Sequence, residues 1–246
     1  MCAIHNLPPL CPEFFIPIED SFLSLSHPQT LIPVMKRTNF LSIGLWLLLV
    51  LSSISADAGS TTIFDGRTFS GWDGETNHIW RIQDGYVTGG ILKTGVKENQ
   101  FLATQRNYTN FVLKLKFRLV GTNGFVNSGV QIRSQRVPNN TEMAGYQCDL
   151  GDPSWWGCVY DESRRNKVMA QSDMKAINAV LKRGEWNDYL IRAEGRRIRT
   201  YLNGALGADY TEQDTTLPQW GKLGLQIHGG GKSEASFKDI QIEELP

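Results

Sequence analysis

The chain contains 246 residues, and its 25 basic and 25 acidic side chains leave no formal net charge at pH 7. This balance argues against a nucleic-acid backbone or an anionic membrane as the main partner, because both attract a clear surplus of positive charge. A neutral ligand fits the charge better. Sugars are the obvious neutral class, although charge alone does not select them.

An internal segment has the three physical parts of a secretory signal peptide. Residues 35–39 begin with Met and carry Lys36 and Arg37, and residues 40–51 are apolar but too short to span a bilayer comfortably. Small residues two apart follow in residues 56–58. The alternative is a buried core helix or an uncleaved anchor.

The signal peptide would divide the chain into three parts. We expect residues 1–34 to be an over-extended translation start, residues 35–58 to be removed on export, and residues 59–246 to work in the periplasm or outside the cell. The remaining 188 residues suit one domain with one core. That part holds 23 basic and 21 acidic residues, so a neutral ligand still fits, and no membrane contact is expected after cleavage.

Two cysteines fall in the exported part, Cys148 and Cys158. An oxidising compartment permits a disulfide between them. It would close a short loop and stabilise the fold by about 2–3 kcal/mol in the chain-entropy model. The alternative is two buried thiols on neighbouring strands.

The pattern after residue 59 has the period of strands rather than helices. In residues 111–119 the odd positions are apolar and three of the four even positions are basic. Such alternation predicts a strand with one face on a core and the other in water. The rhythm recurs around residues 130–133, 189–192 and 223–228, and residues 237–245 read as a last strand.

Turn residues separate these strands. Asp84-Gly85 and Asn203-Gly204 are hairpin signals, because both residues of each pair tolerate positive φ. Residues 189–210 are therefore predicted to form a three-stranded antiparallel meander. The single helix candidate, residues 172–180, is weak. Many short strands with glycine-rich turns indicate an all-β antiparallel sandwich or barrel.

The first candidate cluster lies near the start of the domain. Phe64-Asp65-Gly66, Trp72 and Trp80 could line a sugar subsite, since aromatic faces stack on sugar C–H groups. The favoured interpretation is an edge strand held to the sandwich by buried aromatic side chains.

The second cluster is residues 127–133, where alternation places Gln131 and Arg133 on one strand face. An arginine among apolar strand residues needs a partner or a ligand, because a desolvated charge without one is costly. It would either hold a carbonyl or enolate oxygen, or form a buried ion pair with Asp149 or Asp161.

The third cluster combines hydrogen-bonding and stacking groups. Gln147 and Asp149 project from one side of a strand, and Cys158 and Tyr160 do so on the next. This surface suits a hydroxyl-rich ligand. Nearby residues of the same cluster are Tyr146, Trp155 and Trp156.

Acidic residues of this region also offer oxygen ligands for a divalent cation such as calcium, although their spacing matches no calcium loop. They are Asp149, Asp152, Asp161 and Glu162. The alternative is neutralisation by Arg164 and Arg165.

The fourth cluster pairs Gln226 with His228 on one face at the end of a strand that opens into three glycines. Imidazole titrates near neutral pH, so His228 is the natural proton carrier of an enzyme. The alternative is a hydrogen-bonded surface histidine. No serine-nucleophile elbow, metalloprotease helix or phosphate-binding loop is visible in the sequence.

The ordered set of these motifs resembles the family of 3-keto-disaccharide hydrolase domains over about residues 61–244. The matching segments are Phe64-Asp65-Gly66, Gly71-Trp72, Trp80, Asp84-Gly85, Asn127-Ser128-Gly129, Arg133, Gly145-Tyr146-Gln147, Gly184-Glu185-Trp186-Asn187, Asn203-Gly204 and Gly224-Leu225-Gln226-Ile227-His228. The resemblance implies an exported concanavalin-A-like jelly-roll β-sandwich, mostly antiparallel. It also implies action on sugars whose C3 hydroxyl has been oxidised. Many family members carry Glu and then Gln where this chain has Gln147 and then Asp149.

A C3 ketone acidifies the hydrogen on C2, so a base can remove it and expel the C1 oxygen, after which water adds to the enone. The hypothesis assigns His228 or Asp149 as the base. Arg133 would stabilise the enolate, and Tyr160 or Asp161 would donate the proton. The expected substrate-binding residues are Asn127, Gln131, Tyr146, Gln147, Trp155, Trp156 and Gln226.

No nicotinamide site is visible, so a separate sugar 3-oxidoreductase would supply the small-molecule sugar substrate. The rival hypothesis is a non-catalytic carbohydrate-binding sandwich, which needs Trp72, Trp155 and Trp156 exposed in one groove and no perturbed acid–base pair. A third, a scaffold for protein contacts, predicts an apolar surface patch.

Overall fold

The computed structural model describes residues 59–246, which form two antiparallel sheets and one short helix. The predicted signal peptide and translation start lie outside the described residues. In chain order the elements are β1 (Thr61–Thr62), β2 (Trp72–Asp73), β3 (Trp80–Gln83), β4 (Tyr86–Gly90), β5 (Gln100–Tyr108), β6 (Phe111–Gly124), β7 (Asn127–Arg136), β8 (Met143–Gly151), β9 (Val159–Glu162), β10 (Lys167–Ala170), α1 (Met174–Val180), β11 (Asn187–Glu194), β12 (Arg197–Leu202), β13 (Ala205–Thr211), β14 (Gly221–Ile227) and β15 (Gly231–Glu244).

The first sheet has the strand order β13-β12-β11-β6-β15-β4-β3, with β1 paired to β15. The second has the order β10-β9-β8-β7-β14-β5-β2. Both predicted hairpins are present, since β3 pairs with β4 and β12 pairs with β13. Strands β11, β12 and β13 form the predicted meander. The prediction of an all-β antiparallel sandwich is confirmed.

The core lies between the two sheets and follows from alternation along the strands. In β6 the odd residues from Phe111 to Leu119 are buried in one apolar cluster, while Lys114 between them is exposed. Apolar side chains of β7, β8 and β14 join this cluster from the second sheet, among them Val130, Cys148 and Leu225. Burial of this surface is the main favourable term in folding.

The one helix among residues 59–246 begins after Asp173, whose carboxylate accepts hydrogen bonds from the backbone N–H groups of Lys175 and Ala176. Such a cap satisfies N–H groups that have no partner within the helix. The helix has seven residues and buries Ile177. The weak helix candidate is therefore confirmed, and within residues 59–246 no helix is long and apolar enough to cross a membrane.

Cys148 and Cys158 are both free and buried. Cys148 belongs to the core cluster, while the Cys158 thiol lies 3.5 Å from a carboxylate oxygen of Asp149. Burial raises the pKa of both thiols. Of the two alternatives that the sequence left open, the structure shows two buried thiols, with Cys148 on β8 and Cys158 immediately before β9, and no disulfide between them.

Candidate active site

A cavity of about 160 Å³ opens on the second sheet. It is smaller than the roughly 300–1,000 Å³ of pockets for drug-sized ligands, so it suits one sugar ring rather than two. Strands β7, β8 and β9 and the end of β14 supply most of its lining. The lining residues are Phe125, Asn127, Gln147, Asp149, Trp155, Tyr160, Glu162 and His228.

Strand register explains why these side chains meet. Gly129 of β7 lies opposite Asp149 of β8, and Gln147 of β8 lies opposite Tyr160 of β9. Side chains two residues apart share one face, so Gln147 and Asp149 point away from the core. The predicted common face of Gln147, Asp149 and Tyr160 is therefore present.

Asp149 has its carboxyl group almost wholly shielded from solvent, with 2 % of the residue exposed. Its Oδ1 accepts a hydrogen bond from Gln147 Nε2 at 2.7 Å. Desolvation raises the pKa of Asp149 to about 8, and the nearby charge of Glu162 adds to this effect. Asp149 is therefore mostly protonated at neutral pH and can act as a hydrogen-bond donor.

Glu162 is the second carboxyl group of the cavity. Burial raises the pKa of Glu162 to about 7, and the charge of Glu142 acts in the same direction. From the sequence, Glu162 is expected only as a candidate metal ligand. Extending the two-residue rhythm of β9 from Tyr160 by one step would have placed Glu162 on the cavity face.

Three aromatic side chains form one wall. Trp155 packs edge-on against Phe125 at 6.3 Å and against Tyr160 at 5.9 Å between ring centroids. Burial and the charges of Glu162 and Asp149 raise the pKa of Tyr160, so its hydroxyl stays protonated. The wall therefore offers an apolar stacking surface and one hydroxyl donor.

His228 lies at the rim, where its ring packs against Phe125 with 4.6 Å between ring centroids. The Nδ1 atom lies 2.6 Å from the carbonyl oxygen of Gly229. Because a carbonyl oxygen can only accept, Nδ1 carries a proton, and in the neutral imidazole the lone pair is on Nε2. The His228 backbone N–H donates to the Asn127 carbonyl at 3.2 Å, which ties the two together.

Arg133 is the clearest departure from the predicted site. It is 1 % exposed and has a left-handed φ of 50°, at a register shift between β7 and β8. Its guanidinium donates to Thr109 O, Gly195 O, Gln219 Oε1 and Asn110 Oδ1. It neither lines the cavity nor pairs with Asp149 or Asp161, so both predicted roles are wrong. All of its acceptors are uncharged, and desolvation lowers the pKa of Arg133 to about 10.

Asp161 and Tyr146 lie on the other face of their strands. Asp161 is fully buried and pairs with Arg164 at 2.8 Å and with Arg165. The Tyr146 hydroxyl donates to Glu212 at 2.7 Å. These contacts form a buried ionic network away from the cavity. The expectations that Asp161 donates a proton to the substrate and that Tyr146 binds it are therefore wrong.

The other predicted binding residues divide between the cavity and the protein interior. Asn127, Gln147 and Trp155 line the cavity, and Gln226 lies beside it with its Nε2 at 3.5 Å from Glu162 Oε2. Trp156 stacks on Phe117 in the core, contrary to the expectation that it binds substrate.

Gln131 is also withdrawn from the cavity. Its Nε2 donates to Met143 O at 3.3 Å, and its Oε1 accepts from Ser134 Oγ at 2.6 Å. Both polar ends of this buried side chain are therefore used within the protein, contrary to its predicted role in binding.

The aromatic residues of the first cluster are structural. Trp72 is buried, meets Phe64 edge-on at 6.4 Å between centroids, and donates to the Ile63 carbonyl at 2.8 Å. Trp80 is 1 % exposed. The favoured interpretation of strands held by buried aromatic side chains is confirmed.

The structure gives no support for the cation site. Asp152 pairs with Arg183, and Asp161 with its two arginines, so of the four predicted ligands only Asp149 and Glu162 line the same cavity. Within residues 59–246, no three or more His, Cys, Asp or Glu side chains are grouped so that they could hold a metal ion.

Comparison with known proteins gives one family match. The model of a family described as "3-keto-alpha-glucoside-1,2-lyase-like domain" matches residues 59–243, which is three quarters of the chain. Among curated proteins, none matches this sequence significantly.

Solved structures share the fold at low identity. A "putative glycosyl hydrolase" from Parabacteroides distasonis is 23% identical, with a TM-score of 0.58, over 80% of this chain and 99% of that one. A second protein of that description from the same organism is 21% identical, with a TM-score of 0.55, over 76% and 100%. The carbohydrate binding module CBM66 from Bacillus subtilis is 16% identical, with a TM-score of 0.55, over 71% and 96%. These likenesses establish the sandwich fold.

Proposed function

Because the chain belongs to the family of 3-keto-α-glucoside-1,2-lyase-like domains, we propose that it cleaves the glycosidic bond of 3-keto-disaccharides or 3-keto-glycosides. The bond breaks by elimination, and hydration follows. The observation that carries the proposal is one small cavity holding two carboxyl groups with pKa values of about 8 and about 7, beside a histidine. Side chains whose pKa is shifted toward 7 by their surroundings are typical of acid–base catalysis.

The reaction begins with proton removal from C2. The C2–H electron pair forms a C1–C2 double bond through the enolate of the C3 ketone, and the C1–O bond breaks. The leaving oxygen takes a proton, which releases the alcohol. Water then adds across the enone, with hydroxyl on C1 and hydrogen on C2, and regenerates a 3-keto sugar.

His228 is assigned as the base for C2. Its Nδ1 donates to the Gly229 carbonyl, so in the neutral imidazole Nε2 is the acceptor. Contact with the Phe125 ring fixes the orientation of the imidazole. The neutral form of His228 would therefore offer the elimination a base at the rim of the cavity.

Asp149 and Tyr160 replace Arg133 as donors to the enolate oxygen. Both line the cavity and both remain protonated at neutral pH, because the pKa of each is raised by burial. A neutral carboxyl group in an apolar site can donate to an oxyanion and become a stronger partner as negative charge develops.

Glu162 is assigned as the acid for the leaving group. Its pKa of about 7 leaves a large protonated fraction at neutral pH, and it is more exposed than Asp149. After giving up its proton it can act as the base that activates water for hydration.

A purely binding role has less support. The rival hypothesis needed Trp72, Trp155 and Trp156 exposed in one groove, but Trp72 and Trp156 are buried. It also needed no perturbed acid–base pair, whereas the pKa values of Asp149 and Glu162 are both raised.

The proposal includes the context of the substrate. A separate sugar 3-oxidoreductase must introduce the ketone, because the elimination itself transfers no electrons to a cofactor. We also propose that the protein acts after export, on the sequence pattern of residues 35–58.

The test is incubation of the purified protein with a 3-keto-glucoside while release of the alcohol is measured. His228→Gln is expected to lower kcat by about 10²–10⁴-fold, the usual contribution of a positioned base. The matched control is His78→Gln, which changes the exposed second histidine of residues 59–246 and should retain wild-type kcat.

Unaltered 3-keto-glucoside after prolonged incubation with the wild type would refute the proposal. Saturable binding of unoxidised glucosides without any turnover would instead identify a carbohydrate-binding module. Equal activity of His228→Gln and the wild type would remove His228 from the mechanism and leave the lyase activity in place.

A further inference from the structure

Two buried glutamine side chains beside the cavity have half of their hydrogen-bonding capacity unused. Gln147 and Gln226 are 1 % and 0 % exposed. The Nε2 groups point to carboxyl groups, Gln147 to Asp149 at 2.7 Å and Gln226 to Glu162 at 3.5 Å. Among residues 59–246, the Oε1 atom of each glutamine has no hydrogen-bond partner. Buried polar atoms are normally paired, so two orphaned acceptors at one site need an explanation.

Both side chains converge on Gly129. Gln226 is the register partner of Gly129 on one side, and Asp149 is its partner on the other. The side chain of Gln147 passes over Gly129, since a Cβ built there would lie 2.7 Å from Gln147 Cγ. The missing side chain at Gly129 thus leaves room for the Gln147 amide beside the Asp149 carboxyl and separates Gln226 from Asp149 by a residue with no side chain.

Gln131 shows that this pattern is local. It lies on the same strand face and is equally buried, yet both ends of its amide are satisfied by Met143 and Ser134. Of these three buried glutamines, only the two on either side of Asp149 have an unused Oε1 acceptor within residues 59–246.

Strand register places Asp149 beside both glutamines, with Gln147 two residues along β8 and Gln226 across Gly129 on β14. A protonated carboxyl group therefore has a residue with an unused Oε1 acceptor on either side. A 3-keto pyranose carries the complementary groups, because its C3 oxygen accepts while the hydroxyl groups on C2 and C4 donate. We propose that Gln147 and Gln226 determine specificity by accepting hydrogen bonds from the two hydroxyl groups that flank the substrate ketone. This inference rests on the proposed function and names which sugar groups the site reads.

The experiment compares a 3-keto-glucoside with its 4-deoxy analogue, which lacks one flanking hydroxyl but keeps the C2 hydrogen, the ketone and the leaving group. In the wild type, kcat/KM for the 4-deoxy compound should fall by roughly 10- to 100-fold, because a buried acceptor then stays unpaired. One of the two variants Gln226→Met and Gln147→Met removes the acceptor of the C4 hydroxyl. In that variant, the ratio of kcat/KM for the 3-keto-glucoside to kcat/KM for its 4-deoxy analogue should shrink to less than about threefold.

Gln131→Met is the matched control, because it makes the same change at a glutamine whose amide is already satisfied. It should keep the wild-type ratio whatever happens to its absolute rate. The readout is the ratio of kcat/KM for the two substrates within each variant. A general loss of stability or of Asp149 positioning lowers both values and does not change this ratio.

The possible outcomes separate the two proposals. Equal kcat/KM for both substrates in the wild type overturns the inference and leaves the lyase proposal standing, and this arm needs no variant to fold. Discrimination that persists in both Gln226→Met and Gln147→Met also overturns it. If the wild type cleaves neither compound, the proposed function fails and the inference fails with it.

Discussion

Asp149 has the least solvated carboxyl group of the cavity, and its protonation couples the site to folding. Its pKa in the folded protein is about 8, against 3.8 for the free side chain. Between about pH 4 and about pH 8, the folded protein therefore holds a proton that the unfolded chain has lost. This contribution to stability is full below the unfolded pKa and disappears as the pH rises through the folded pKa.

Asp149→Asn should therefore stabilise the protein at alkaline pH. The amide keeps an acceptor for Gln147 Nε2 and removes the charge that must otherwise be buried. Relative to the wild type, the free energy of unfolding should increase between about pH 5 and about pH 9, by about 2 kcal/mol or more at the upper end. Urea titrations across this range measure it.

The control for this prediction is Asp84→Asn, a change of the same kind in an exposed hairpin turn. Its effect on unfolding should not vary with pH in this way. A constant difference between Asp149→Asn and the wild type from acid to alkaline pH would show that Asp149 stays ionised in the folded protein.

Sequence alternation could predict single residues only where a strand is regular. It placed Gln147, Asp149 and Tyr160 on one face, because β8 and β9 pair in continuous register there. It failed at Arg133, where the register with β8 shifts and φ is positive, so the side chain turns toward the backbone carbonyls of neighbouring loops. A bulge has no reliable signature in a single sequence.

At the scale of elements, β7 positions the site by lacking a side chain at Gly129. Gln147 Cγ and Cδ would lie 2.7 and 2.8 Å from a Cβ at this position, closer than real Cβ contacts allow. The side chain of Gln147 is also fixed by Asp149, so it cannot move without losing that hydrogen bond.

Gly129→Ala should therefore displace Gln147 and lower kcat/KM by about tenfold or more, with a loss of stability of about 1–3 kcal/mol from overpacking. Steady-state kinetics on a 3-keto-glucoside and urea unfolding measure the two effects.

Gly224→Ala on the adjacent strand is the matched control. A Cβ there would meet Met143 Sδ at 2.7 Å, near the end of a flexible side chain that can give way. We expect this variant to keep its activity within a few-fold. Equal losses in both variants would show that the effect is general crowding of the sheet rather than displacement of Gln147.

The elements themselves were largely predictable from sequence. Alternation in residues 111–119 and the Asp84-Gly85 and Asn203-Gly204 turns each specify a strand or hairpin locally, and the structure confirms them. The lateral order of strands depends on long-range pairing, such as β14 between β5 and β7, for which local pattern carries no information.

At the scale of the whole molecule, the sandwich holds two sets of buried carboxyl groups in different surroundings. Asp161 and Glu212 are paired with arginines in one network, and Glu212 has its pKa held well below the usual range by Arg165 and Tyr146 despite burial. In the part of the chain that the structure describes, Asp149 and Glu162 have no arginine partner, and burial raises the pKa of each. Carboxyl groups are thus paired with arginines in the structural network, whereas those in the cavity have raised pKa values.

The activity should consequently decline as the pH rises. In the proposed mechanism the enolate donor Asp149 and the acid Glu162 must both be protonated, and they lose their protons at about pH 8 and about pH 7. The wild-type kcat/KM should fall from about pH 7, with a slope that steepens above about pH 8 as the second proton is lost. Glu162→Gln should be slower throughout and should begin its decline nearer pH 8, because only the Asp149 proton then remains to be lost.

The measurement is kcat/KM for a 3-keto-glucoside from about pH 5 to about pH 9, with urea unfolding at each pH to separate loss of activity from loss of fold. This separation matters because the Asp149 charge that abolishes the donor also destabilises the protein. A wild-type rate that increases through pH 7 to 8 would contradict the assignment of Asp149 and Glu162 as proton donors, because both lose their protons over this range.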